Sequence, residues 1–138
     1  MLFRSDRCNV RGLSSSDVGG AVDLVVADLS FISLTLVLPA LAEVVSPSGD
    51  MVVMVKPQFE VGAARVGANG VVTDRSARAW AVTHVASAAK ALGWPAGDLV
   101  ASPLPGPAGN HEFFLWLRRD AAALPADMIA QIVEGDAS

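Results

Sequence analysis

Residues 49–62 read GDMVVMVKPQFEVG, from Gly49 to Gly62. The run Met51–Val55, rich in valine and bounded by Gly49 and Pro57, predicts a strand buried on both faces of a sheet. It ends on Lys56. An ammonium at the lip of a buried sheet is costly to desolvate unless it has partners or a task. Pro57 removes a backbone donor and fixes the direction in which the chain leaves, so the lysine is held in the crevice at the strand's carboxyl end.

Upstream, VDLVVADLS (Val22–Ser30) is a second continuous apolar run, and SLTLVLPALAEVV after it carries apolar residues at helical spacing, with Ser30 or Ser33 as its cap. SPSGD then reads as a turn. Downstream, Pro57 to about Thr73 holds Gly62, Gly67 and Gly70 with Arg65 between them, a connection long enough to suggest a functional lid. DRSARAWAVTHVASAAKALG predicts a helix with Ala77, Trp80, Ala81, Val85, Ala88 and Leu92 on one face, stopped by Gly93. DLVASPLPGP supplies a short strand and a proline-glycine loop, HEFFLWLRR a last strand from Glu112 to Leu117, and PADMIAQIVEG a terminal helix between Pro125 and Gly135. Trp80, Trp94 and Trp116 read as core.

Strand, helix, strand, lid, helix, strand, strand is the order of the C-terminal half of a doubly wound, mostly parallel α/β sheet. Such sheets bind ligands beyond the carboxyl ends of their strands, where Asp28 and Lys56 are placed. A glycine-rich cofactor loop is expected in the first half of such a fold. DVGGAVD precedes a strand where it should follow one, and GAARVGANG opens no helix directly. Residues 1–138 are therefore expected to be a truncated domain whose record begins inside a longer protein. Half a sheet should also leave an edge and an apolar face exposed, favouring self-association.

With 138 residues, 52% of them apolar and 17% charged, the chain can fill one core. No apolar run reaches the roughly 18 residues of a membrane span, and the charged start MLFRSDRCNVRG is no signal peptide, so a cytoplasmic address is expected. The lone Cys8 offers neither a disulfide partner nor metal-ligand spacing. A net charge of −4 argues against a chain that holds nucleic acid by itself, because a basic face supplies most such affinity. Taken singly, the polar positions keep bland alternatives. Asp28 could cap the following helix, Lys56 could snorkel, Glu112 could be a solvated charge and Phe31 could be core. Arg65, Arg75 and Arg78 could touch RNA phosphates or form a solvated face.

The blocks DLVVADLSFISLTLVLPAL, VKPQFEVG, GVVTDRSAR and SPLPGPAGNHEFFLWLR, in this order, resemble the TlyA (hemolysin A) family of ribosomal RNA cytidine 2′-O-methyltransferases, relatives of FtsJ, from about Asn9 to Arg119. The resemblance implies a Rossmann-like S-adenosylmethionine-dependent methyltransferase fold, with the family's S4-type RNA-binding domain absent here. It implies ribosomal RNA, within ribosomal subunits, as the partner. The family's Lys-Asp-Lys-Glu catalytic set maps its Asp to Asp28, its second Lys to Lys56 and its Glu to Glu112. Its first Lys has no counterpart here, so the chain alone is expected to be inactive. Cofactor contacts map to Asn9 and to the turn containing Asp28, Leu29 and Phe31. Methyl transfer to a ribose hydroxyl is an in-line displacement that needs no metal, only removal of a reluctant proton, which a positioned amine can accept. A non-catalytic RNA- or protein-binding module on the same fold is the alternative. Membrane activity, which the hemolysin label suggests, finds no spanning or strongly basic amphipathic segment to support it.

Overall fold

A computed structural model describes residues 21–136. Four strands form one sheet: β1 (Val22–Ala27), β2 (Val45–Val55), β3 (Ala96–Ala101) and β4 (Phe113–Leu117), in the order β1-β2-β4-β3. β1 and β2 are parallel, while β4 is antiparallel to both β2 and β3. Three strands thus run one way, and the last inserts between two of them against that direction. The mostly parallel reading survives, but the reversed β4 was not foreseen. Its consequence is geometric. The amino end of β4 lies at the same sheet edge as the carboxyl ends of β1 and β2.

Helices α1 (Leu34–Val44), α2 (Arg75–Ala91) and α3 (Ala126–Glu134) pack on one face of this sheet. Alternation decides which strand residues meet them. Met51, Val53 and Val55 of β2, with Phe113, Leu115 and Leu117 of β4, are completely buried, along with Leu38 of α1 and Val82 and Val85 of α2. The register places Val53 beside Leu115, and Leu115 beside Leu99, so one apolar row crosses three strands. Each such side chain contributes roughly 1.5–3 kcal/mol by leaving water.

Trp116 alternates to the other face and is 43% exposed, with Arg118 over its ring and Nε1 donating to Asp50 at 3.2 Å. Val26 and Val100 share that exposure, as an uncovered apolar face requires. Of the three tryptophans read as core, only Trp94 is buried.

Two local expectations shift. β2 begins at Val45, so the SPSGD turn lies within the strand as an irregularity between the pairs Val22–Val45 and Leu24–Asp50. A Cβ on Gly49 would stand 2.7 Å from the Asp23 carbonyl oxygen, so only glycine fits where the two strands converge again. On α2 the buried residues are Ala77, Arg78, Ala79, Ala81, Val82, Val85 and Ala89. Trp80 falls on the outer side of the helix, where it stacks on His84 at 4.6 Å.

Candidate active site

β1 ends at Ala27 and β2 at Val55, so Asp28 and Lys56 are the first residues beyond neighbouring parallel strands. Val55 pairs with Phe113, which brings Glu112 to the same edge. Sequence positions 28, 56 and 112 therefore converge because two strands finish where a reversed one starts. Lys56 is only 8% exposed and Glu112 only 6%. Neither is a solvated surface charge. The Lys56 ammonium forms an ion pair with Asp28 and donates to Ser30 Oγ at 3.0 Å. The Asp28 carboxylate stays 62% exposed, open to a second cation.

Asp28 does not cap α1. Ser33 does, its Oγ accepting from Thr35 N, and Glu60 reinforces that cap. Glu60 Oε2 accepts from Leu34 N at 2.8 Å and Oε1 from Ser33 Oγ at 2.6 Å. This carboxylate, missed in the sequence, ties the turn after β2 to the turn after β1 and so sets the separation of Lys56 from Asp28. Its signal was an acid one short turn beyond Lys56, with nothing local to pair with.

Burial pushes the Glu60 carboxyl above its ordinary 4.5, against the opposing pull of Ser33, Leu34 N and His84. The folded state therefore holds this proton more tightly than the unfolded chain does. Its contribution to stability is complete below about pH 4.5 and is lost as pH rises through the raised value. Urea midpoints measured from pH 4 to 7 are expected to fall more steeply with pH in wild type than in Glu60→Gln. Equal slopes would contradict this.

Phe31 adopts φ 67°, a conformation that costs a non-glycine residue energy, and the residue is 89% exposed. It is not core. The ring meets Phe59 with centroids 5.1 Å apart and planes tilted by 50°, giving an aromatic surface beside the Asp28–Lys56 pair. Leu29 packs against the core, so it can offer a ligand its backbone rather than its side chain. Asn9 lies outside the described residues.

The Glu112 carboxylate receives Gln58 Nε2 at 2.9 Å. Gln58 belongs to a 3₁₀ turn, Pro57–Phe59, that Pro57 opens. Lys56, Gln58, Phe59 and Glu60 thus each fasten a different part of the site. Next to Glu112, the His111 Nδ1 lies 2.7 Å from Asp136, joining the loop before β4 to the end of α3.

Asn110, 2% exposed, anchors the glycine-bearing loop. Its Oδ1 accepts from Val72 N at 3.0 Å, and its Nδ2 donates to the carbonyls of Gly70 and Pro107. Asn110→Ala leaves a buried N–H without its partner, at a cost of about 1–3 kcal/mol. Faster limited proteolysis between residues 62 and 70 is the expected result, and an unchanged rate would contradict the anchor. The nearby arginines are occupied. Arg78 is buried and donates to the Val72 carbonyl, Arg75 donates to the Glu134 carbonyl, and Arg65 pairs with Asp74 at 3.6 Å.

The model of the FtsJ-like methyltransferase family matches residues 3–119. The chain belongs to that family. Among curated FtsJ-like relatives, it is 58% identical over 113 residues to the 16S/23S rRNA (cytidine-2′-O)-methyltransferase TlyA of Mycobacterium tuberculosis H37Rv, an alignment covering 82% of this chain and 42% of TlyA. It is 36% identical over 135 residues to YqxC, a candidate rRNA methyltransferase of Bacillus subtilis, covering 94% and 48%. The chain thus spans less than half the length of these curated relatives. Two solved structures described as candidate hemolysins share the fold at 34% identity. The Streptococcus thermophilus protein superposes with a TM-score of 0.85 over 94% of this chain and 48% of its own, and the Lactococcus lactis protein with 0.82 over 91% and 62%. Among the described residues, no helix is long and apolar enough to cross a membrane.

Proposed function

We propose that this chain is the catalytic-edge portion of a cytoplasmic enzyme that methylates the 2′-hydroxyl of cytidine in ribosomal RNA, with S-adenosylmethionine as cofactor. The observation that carries the reading is the convergence of buried Lys56, buried Glu112 and Asp28 at one sheet edge, in a chain 58% identical to TlyA. Bound S-adenosylmethionine supplies an electrophilic methyl group. The residues present fit it: Asp28 keeps an exposed carboxylate suited to a sulfonium, and the exposed Phe31, braced by Phe59, offers an aromatic face to an adenosyl ring.

Lys56 is the group that handles the proton. A ribose hydroxyl gives up its proton far above neutral pH, so an amine held at that oxygen must accept it or stabilise the charge that develops. The rigid strand β2 mounts the lysine, while Asp28 and Ser30 aim it. Glu112 completes the site from the opposite strand direction and holds either the amine or the ribose. The net charge of −4 makes the chain unlike one that grips RNA by a basic face of its own.

The test is transfer of labelled methyl from S-adenosylmethionine to unmodified ribosomal subunits by the full-length gene product. Label appearing in RNA supports the reading. Subunit binding without transfer would favour the non-catalytic binding module.

A further inference from the structure

Gln58 makes one hydrogen bond at the expense of another. A carboxylate can only accept, so the 2.9 Å bond to Glu112 fixes the amide with Nε2 toward Glu112. The other end, Oε1, is buried with no hydrogen-bond partner among the described residues. Buried polar atoms are nearly always paired, and an exception calls for a reason. Holding the Glu112 carboxylate is that reason: the amide is oriented for its donor, and its acceptor is left over.

Gly106 also lies against the carboxylate. A Cβ there would overlap the carboxyl carbon and both oxygens of Glu112. Its backbone sits at φ −78°, which any residue adopts, so a side chain here conflicts only with the present position of the Glu112 carboxylate. The Gly106 N–H is bonded to the Asn110 carbonyl, which keeps the glycine in place.

We propose that Gln58 and Gly106 are positioning residues for Glu112, together holding its carboxylate in one orientation at the Lys56 edge. The claim rests on the methyltransferase reading for its kinetic consequences and on the geometry alone for its structural ones. Neither residue touches the reacting atoms. Gln58→Ala frees the carboxylate to turn, and Gly106→Ala displaces it by occupying its seat.

The experiment is steady-state methyl transfer by the full-length gene product, wild type against Gln58→Ala, Gln58→Glu and Gly106→Ala. Displacing a reacting group by about 1 Å costs on the order of a hundredfold, so kcat is expected to fall roughly 10- to 100-fold in the two alanine variants. KM for S-adenosylmethionine should stay within about twofold, since these residues act on Glu112. Gln58→Glu supplies the conservative rescue. Two adjacent carboxylates retain a proton between them, and that proton restores the lost donor at lower pH. The ratio of Gln58→Glu activity to wild type should therefore rise on acidification. An unchanged kcat in Gln58→Ala, or a pH-independent ratio, overturns the proposal. If wild type itself transfers nothing, the methyltransferase reading falls instead, and a crystal structure of Gln58→Ala decides the positioning claim. A rotated Glu112 side chain upholds it, and a carboxylate in its original place overturns it.

Discussion

Lys56→Ala is expected to lower methyl transfer by roughly 100- to 10,000-fold, the contribution of a positioned proton-transfer group. The loss should not come from unfolding. Removing one partner of an ion pair is severe only when the other charge stays buried, and the Asp28 carboxylate is already 62% exposed. Water can take the place of the ammonium. Thermal unfolding and binding of labelled S-adenosylmethionine should therefore remain close to wild type while single-turnover rates collapse. A Lys56→Ala enzyme within about threefold of wild type would remove the lysine from the chemistry.

Phe113→Ala should have the largest effect on stability, about 3–5 kcal/mol. Its ring is completely buried, and its backbone pairs with Val55 on one side and Ala101 on the other. The cavity would open at the centre of the sheet edge that presents Lys56 and Glu112. Part of the site is therefore expected to loosen before the whole protein unfolds. Chemical denaturation of the full-length protein measures the stability loss, and a change under about 1 kcal/mol would show that the core can close over the gap.

The apolar runs ending at Asp28 and Lys56 made the two parallel strands and the ligand edge legible, because a doubly wound sheet places its chemistry beyond strand ends. The cap at Ser33 and the terminal helix between Pro125 and Gly135 were equally local signals. The reversal of β4 was not legible. HEFFLWLRR reads as a strand in either direction; its antiparallel pairing with β3 is local, but its insertion beside β2 depends on partners more than fifty residues away. Trp80 and Trp116 misled because size suggests burial, but alternation on β4 and the position of Trp80 off the buried stripe of α2 decided otherwise. Asp28 and Lys56 were singled out by strand ends and, with Glu112, by motif resemblance, and the fold places all three at one sheet edge. Gln58 and Glu60 were overlooked because their partners, Glu112 and the Ser33 turn, are distant in sequence.

The most direct measurement is nucleoside mass spectrometry of ribosomal RNA after incubating unmodified subunits with the full-length protein and labelled S-adenosylmethionine. The proposed function predicts label in 2′-O-methylcytidine with wild type, accumulating at least roughly 100-fold more slowly with Lys56→Ala. Label on a base, label on another nucleoside alone, or no label despite subunit binding would contradict it.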